Sequence, residues 1–304
     1  MTPFTWLCLF ILLVFILFVT PTQLVADERV VTDYQGRTVV LSKPATRIVA
    51  LAPHIVENIY SAGAGDLIVG AVSYSDYPQQ ALAIPRVGNI QGFSIEAIVA
   101  LKPDLVIAWA SGHAASVSKK LVDLGLNVYM DEPKTLEHVV KSISDIAYLS
   151  QRESAAVDSI KSYQRRLKHL QQRYAHQSPV SVLYQVWNSP LRTISGNHII
   201  SDVIRVCGGR NIFADAPVIA PTISIESVIE RNPQVIIASG MGEQRPDWLD
   251  EWRRWHSITA VQKQQLFFIP PDILQRHTVR LLQGAQAMCK QLEAVRHNSI
   301  HPGG

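Results

Sequence analysis

One segment of this chain of 304 residues occurs twice, at a constant offset of 130 positions. The first copy spans residues 94–108 and begins Ser94-Ile95-Glu96, and the second spans 224–238 and begins Ser224-Ile225-Glu226. Six of the fifteen aligned positions are identical, and no gap is needed. A duplication of this kind constrains the chain to two similar lobes, each presenting one glutamate at the same structural place.

Each copy of the segment predicts a helix followed by a strand. The serine is a suitable N-cap, and the glutamate two residues later complements the positive end of a helix. Pro103 and Pro233 end the two helices, and an apolar run follows each proline. Because strands and helices alternate along the rest of the chain, we predict an α/β fold of two lobes with mainly parallel sheets.

Between the two copies lies a stretch without glycine or proline, from Arg152 to Gln177. Its apolar residues recur at alternating spacings of four and three, which predicts one amphipathic helix. Such a helix is about 35 Å long, the width of a domain, so we expect it to join the lobes rigidly. A plain surface helix is the alternative. The predicted domains are an N-terminal lobe at 27–150, a linking helix at 151–177 and a C-terminal lobe at 178–304.

The N-terminal residues predict export. Residues 4–19 are almost wholly apolar, and small residues precede Ala26. This pattern is typical of a secretory signal peptide at 1–26, cleaved near Ala26, and it predicts a periplasmic protein. The segment lacks Lys and Arg before its apolar run, so an uncleaved membrane anchor is the alternative.

Composition and motifs exclude several classes of function. The net charge is +3, from 28 basic and 25 acidic residues, which is too mild for a nucleic-acid partner. The chain contains no Gly-x-Ser-x-Gly elbow, no phosphate-binding Gly-x-x-x-x-Gly-Lys loop and no His-Glu-x-x-His motif. We therefore predict a protein that is not an enzyme.

Four of the ten histidines are candidates for ligand contact, because they lie in predicted loops or at helix starts near strand ends. In α/β sheets the carboxyl ends of the strands line the ligand crevice. None of the histidines is paired at a spacing typical of metal ligands, so no metal site is predicted. The four candidates are His54, His113, His198 and His277.

Two cysteines, Cys207 and Cys289, remain after the predicted leader. In an oxidising compartment such a pair most simply forms a disulfide, and two buried free thiols are the alternative. The two duplicated glutamates, Glu96 and Glu226, are either ordinary residues of a helix N-terminus or a symmetric pair that docks to a basic partner.

The chain resembles the periplasmic binding proteins of metal-chelate importers in three features. They are the hairpin predicted at 30–40, the strand at 47–51 that ends before Pro53, and the duplicated segments. Three stretches are similar to the cobalamin-binding branch of this family. They are residues 73–78 (Ser-Tyr-Ser-Asp-Tyr-Pro), residues 98–109 and the Cys-Gly-Gly at 207–209. The resemblance implies a monomer, without a cofactor, that holds cobalamin between its lobes and delivers it to an inner-membrane ABC permease. It also implies a Cys207–Cys289 disulfide and contacts from Glu96 and Glu226 to permease arginines.

The same resemblance implies a set of ligand-binding residues from both lobes. The residues that the resemblance implies are Tyr74, Ile273, Leu274, Gln275, Arg276 and His277, and we predict Pro53, His54, Gln91, Gly92 and Trp109 as further ligand-binding residues. Two positions depart from the pattern, because Ile90 and Ala220 replace tryptophans that face the ligand in the relatives. Either other aromatic residues compensate (Phe93, Trp109 and Trp187), or the ligand differs. The alternatives are a haem or ferric-siderophore receptor, a periplasmic enzyme and a membrane-anchored sensor.

Overall fold

A computed structural model describes residues 28–89, 92–112, 114–240, 242 and 244–300 of the chain. The predicted leader at 1–26 lies outside these residues, as do Ile90, Gln91 and His113. The described chain forms two α/β lobes and one helix that runs between them, which confirms the predicted fold class. None of the helices in the described part of the chain is both long and apolar enough to cross a membrane.

The N-terminal lobe begins with an antiparallel hairpin and contains one six-stranded sheet. Its central strands are buried on both faces, which explains their continuous runs of apolar residues. The sheet order is β6-β5-β4-β3-β7-β8, and every pairing except β5–β6 is parallel. The strands are β1 (Arg29–Thr32) and β2 (Thr38–Leu41) of the hairpin, β3 (Ile48–Ala50), β4 (Ile68–Val72), β5 (Arg86–Asn89), β6 (Gly92–Phe93), β7 (Leu105–Trp109) and β8 (Val128–Asp131).

Four helices pack on the faces of this sheet. They are α1 (Pro53–Ser61), α2 (Ile95–Ala100), α3 (Ala115–Asp123) and α4 (Leu136–Leu149), with short 3₁₀ turns at Gly65–Leu67 and Gln79–Ala83. Proline at the first position of α1 suits a helix start, because that position needs no backbone N–H donor. This start places the next residue, His54, one short turn after the end of β3 at Ala50.

The C-terminal lobe contains one four-stranded sheet in the order β10-β9-β11-β12, and all of its pairings are parallel. Its strands are β9 (Val180–Gln185), β10 (Gly209–Asn211), β11 (Val235–Ala238) and β12 (Leu266–Phe268). Its helices are α6 (Ile199–Val206), α7 (Ile225–Arg231), α8 (Thr259–Gln262), α9 (Pro271–Leu274) and α10 (Leu281–Ile300), with a 3₁₀ helix at Asp247–Arg254.

The helix between the lobes is α5 (Glu153–Tyr174), 22 residues without interruption. Its buried residues recur on one face and pack in the same core cluster as residues of both lobes, which confirms the predicted amphipathic helix. The Tyr163 hydroxyl donates a hydrogen bond of 2.9 Å to the carbonyl of Leu136 in α4. The domain boundaries on either side of the helix stay predictions.

The two copies of the duplicated segment have the same local structure. In each copy the serine hydroxyl accepts a hydrogen bond from the amide three residues later, at 3.1 Å from Ala97 and 3.2 Å from Ser227. After each helix, just before the proline, comes a residue in the left-handed region, Lys102 (φ 46°) or Asn232 (φ 39°). Equivalent corners of the two lobes therefore have matching backbones.

A disulfide joins Cys207, which follows α6, to Cys289 in α10. Both cysteines are fully buried. The bond closes a separation of 82 residues and ties two helices of the C-terminal lobe together, which confirms the predicted pairing.

Candidate ligand-binding cleft

A cavity of about 360 Å³ lies between the lobes, at the carboxyl ends of β7 and β9. Its walls are mostly apolar, with a few polar groups between them, as is typical of sites for organic ligands. The lining residues are Trp109, Ser111, Tyr184, Val186, Ile194, His198, Ile200, Ile219, Ala220, Gln275 and His277.

A smaller cavity of about 110 Å³ lies on the N-terminal lobe and shares Trp109 with the first. Pro53, Tyr74 and Phe93 contribute to its walls. Tyr74 has φ 65° and is 67% exposed, so its backbone holds a large aromatic ring toward solvent at the edge of the cleft. Trp109 thus belongs to the walls of both cavities.

Glu132, which directly follows β8, fixes the orientation of Trp109. Its carboxylate accepts a hydrogen bond of 3.3 Å from the indole nitrogen. The same carboxylate accepts bonds of 2.6 Å from the Ser111 amide and 3.0 Å from the Ser111 hydroxyl. The bonds hold the indole in one position between the two cavities.

Three histidines from three different elements meet behind Trp109. The ring of His277 lies 5.3 Å from that of His54 and 5.4 Å from that of His198, measured between centroids. Both His54 and His277 stand edge-on to the indole, at 5.3 and 5.8 Å. The structure therefore brings together three of the four histidines that the sequence singled out.

Burial keeps these imidazoles neutral. Desolvation lowers the pKa of His54 to about 3 and that of His198 to about 4. The pKa of His277 is also well below its ordinary value, because of burial and the two neighbouring histidines. In the part of the chain that the structure describes, no group of three or more His, Cys, Asp or Glu residues could hold a metal ion.

A buried carboxyl group, Asp131, lies behind the histidines. Its Oδ2 is 3.7 Å from the His54 Nε2, and neither atom has a hydrogen-bond partner. Its Oδ1 accepts a hydrogen bond of 2.5 Å from the Ser142 hydroxyl. Complete burial raises the pKa of Asp131 to about 7.

The neutral state of His54 predicts a pH-dependent loss of stability. Because its pKa is about 3 in the folded chain and 6.5 when unperturbed, the unfolded state binds more protons as the pH falls through this window. We expect the wild type to lose about 2 kcal/mol more than His54→Gln between pH 7 and pH 5, measured by urea unfolding. Equal losses would mean that His54 is already charged beside Asp131.

An ion-pair network crosses from one lobe to the other next to the histidines. Glu57 in α1, 2% exposed, accepts hydrogen bonds from Arg276 at 3.0 Å and from Arg280 at 2.8 Å. It also accepts one of 3.0 Å from the Thr278 hydroxyl. The carboxylates of Asp76 and Asp272 bind Arg276 as well, each at 2.8 Å. This guanidinium is therefore shared by three carboxylates.

The predicted ligand residues occupy different places in this arrangement. Pro53 and Tyr74 line the smaller cavity, Gln275 and His277 the larger one, and Trp109 both. His54 packs against Trp109, while Gly92 is exposed in β6. Leu274 is fully buried in the hydrophobic core, and Ile273 packs against that core. The predicted contacts of Arg276, Ile273 and Leu274 thus fall on residues engaged in ion pairing or packing.

Several residues of the larger cavity carry no signal in the sequence that marks them as ligand contacts. They are Ser111, Tyr184, Val186, Ile194, Ile200 and Ile219. Most of them belong to apolar runs that are indistinguishable from core strands and helices in the sequence. Ala220, one of the two departures from the relatives, lines this cavity.

The duplicated glutamates lie away from the cavity walls. Glu96 and Glu226 are exposed in the first turns of α2 and α7. The Glu226 carboxyl has a lowered pKa, because the helix N-terminus and Ser224 donate hydrogen bonds to it. Both carboxylates are accessible to a partner.

Two lobes that enclose an aromatic and mostly apolar cleft define a ligand-binding protein that holds its ligand between domains. The chain belongs to the periplasmic binding protein family, whose model matches residues 48–273.

Several relatives share most of this chain. It is 38% identical over 251 residues to the vitamin B12-binding protein of Vibrio cholerae serotype O1, covering 82% of this chain and 90% of that protein. It is 34% identical over 246 residues to the vitamin B12-binding protein of Photorhabdus laumondii, covering 81% and 87% of the two chains.

Solved structures show the same fold. The crystal structure of the periplasmic vitamin B12-binding protein BtuF of Vibrio cholerae has a TM-score of 0.76 and 37% identity, covering 83% of this chain and 98% of that one. The periplasmic heme-binding protein RhuT of Roseiflexus has a TM-score of 0.69 at 20% identity, covering 83% and 99%. The second likeness concerns the fold alone.

Proposed function

We propose that this protein captures a corrinoid, cobalamin above all, in the cleft between its lobes. The observation that carries the proposal is the cavity around Trp109, lined by neutral aromatic, apolar and amide side chains. The relatives that share more than a third of its sequence are vitamin B12-binding proteins. Cobalamin is larger than either cavity, so it would fill both and reach the exposed rings of Tyr74 and Trp187 at the cleft edge.

We further propose that the protein delivers this ligand to an inner-membrane ABC permease. The two accessible carboxylates, Glu96 and Glu226, stand on matching corners of the two lobes. A pair of this kind suits a partner with two basic sites, because charge complementarity sets the register of docking. The ligand is carried without any bond being made or broken in it.

The proposed site of action is the periplasm, where the protein acts as a monomer. This rests on the apolar leader, on the family and on the buried disulfide between Cys207 and Cys289. We expect the mature chain to begin near Asp27, and N-terminal sequencing of the exported protein tests this. A mature chain that keeps residues 4–19 would instead support a membrane anchor.

Calorimetric titration of the leaderless protein tests the ligand. The ligands are cyanocobalamin, dicyanocobinamide, haemin and a ferric siderophore, each at pH 7. We expect the first two to bind with Kd values below about 10 μM and the others much more weakly. Failure of both corrinoids to bind in this range would contradict the proposal, and tight binding of haemin alone would favour a haem receptor.

A further inference from the structure

The cleft lining is uncharged. Neither cavity includes a Lys, Arg, Asp or Glu among its described lining residues. Arg276 and Arg280 lie close to His277 in the sequence, and the guanidinium groups of both are bound to Glu57. The histidines are neutral at pH 7, since burial lowers the pKa of each one. A ligand that brought carboxylates into this cleft would find no cation to pair with among these described lining residues.

One polar group of the larger cavity is a hydrogen-bond donor. His198 is the N-cap of α6, and its Nδ1 accepts a hydrogen bond of 3.2 Å from the Ile200 amide. A neutral imidazole carries one proton, so the acceptor role of Nδ1 places that proton on Nε2. The N–H of Nε2 is therefore the polar group that His198 offers to a bound molecule.

A second polar group of the cavity is an acceptor. Gln275 donates its side-chain N–H to the carbonyl of Ser239, and the same nitrogen lies 3.4 Å from the Tyr184 hydroxyl. The amide nitrogen is thus engaged on the C-terminal lobe, and the described residues give the carbonyl oxygen no donor. This oxygen is the group that Gln275 offers to a ligand.

We infer that His198 and Gln275 form a receptor for a primary carboxamide, so that the cleft selects macrocycles bearing amides over those bearing carboxylates. The inference rests on the proposed corrinoid-binding function and adds a specificity to it. A primary carboxamide presents one acceptor and one donor, which match the His198 N–H and the Gln275 carbonyl. A carboxylate presents acceptors alone, so it would face the Gln275 oxygen with a buried and uncompensated charge.

Three corrinoids of equal ring size test the selection at pH 7 in the leaderless protein. Dicyanocobinamide carries amides, dicyanocobyrinic acid heptamethyl ester is neutral without N–H donors, and dicyanocobyrinic acid carries carboxylates. We expect dicyanocobinamide to bind about tenfold more tightly than the heptamethyl ester. We expect it to bind at least about a hundredfold more tightly than dicyanocobyrinic acid. Equal affinities would overturn the inference while leaving the proposed function intact. If haemin binds and all three corrinoids fail, the proposed function itself is wrong.

A substitution at the helix cap separates the two roles of His198. His198→Ser keeps an N-cap oxygen for the Ile200 amide but removes the Nε2–H that the inference assigns to the ligand. Because loss of the imidazole ring weakens the binding of every ligand, the quantity to compare is the ratio of the affinities for dicyanocobinamide and for the heptamethyl ester. We expect this ratio to fall about three- to tenfold. An unchanged ratio would remove His198 from the receptor.

A second variant tests the selection against carboxylates without changing His198, the N-cap of α6. Ile219 lines the cavity, whereas its neighbour Val218 is 57% exposed and lies outside the lining. Ile219→Lys adds a cation to the wall and should improve binding of the heptacarboxylate at least about tenfold relative to dicyanocobinamide. Val218→Lys should leave the ratio unchanged. Equal ratios in the two variants would contradict the charge-based selection.

Discussion

Replacing Glu57 by alanine is expected to lower the free energy of unfolding by about 3–5 kcal/mol. The carboxylate is 2% exposed and binds Arg276 and Arg280, whose side chains are each 13% exposed. Removing it leaves two guanidinium groups short of a partner in a largely desolvated place, which costs more than the ion pairs contribute while they are intact. Urea unfolding at pH 7 measures the loss.

Asp76 provides the matched control for this prediction. It binds the same Arg276 at 2.8 Å, but its side chain is 49% exposed. Asp76→Asn should therefore cost less than about 1 kcal/mol, as is usual for a solvated ion pair. If the two variants lose the same small amount, water solvates the arginines after Glu57 is removed, and the network does not stabilise the contact between the lobes.

Reversing the charge of both Glu96 and Glu226 to lysine is expected to reduce uptake of cobalamin by cells at least about tenfold. The lysines would face the basic sites of the proposed permease, and like charges at a contact cost several kcal/mol. The Kd for cobalamin should change less than about twofold, because neither residue lines the cleft cavities. Radiolabelled uptake and calorimetry measure the two quantities.

Glu230 is a suitable control, since it is an exposed acid on the same helix as Glu226. Glu230→Lys makes the same change of charge in the last turn of α7 and should leave uptake within about twofold of the wild type. If the double variant loses affinity for the ligand as well, Glu96 and Glu226 contribute to the cleft or to folding. If it loses neither affinity nor uptake, the proposed docking contact does not exist.

The parts of the fold that the sequence predicted are those determined by local patterns. The capping serines and the prolines at 103 and 233 are recognised within one helical turn, and the apolar spacing of α5 within a single helix. The internal repeat extended this local information to a statement about two lobes. The Cys207–Cys289 pairing was predictable because these are the two cysteines that follow the predicted leader.

The arrangement of the cleft depends on contacts between distant residues. His54, His198 and His277 follow or precede three separate elements, and their meeting depends on how the lobes pack against α5. The partners of Arg276 are equally distant, since Glu57 belongs to the opposite lobe. No periodicity encodes such pairs, so the sequence could not show that Arg276 lies between three carboxylates, and its predicted contact with the ligand stays a prediction.

The matched corners formed by α2 and α7 have a consequence for the encounter with a partner. The lobes differ in size, with six strands in one sheet and four in the other, yet the two glutamates have equivalent settings. Under the proposed docking through Glu96 and Glu226, a permease made of two equal halves would accept this protein in either of two orientations related by a half-turn. Twice as many collisions would then be productive, and the ligand would face the same entrance in both.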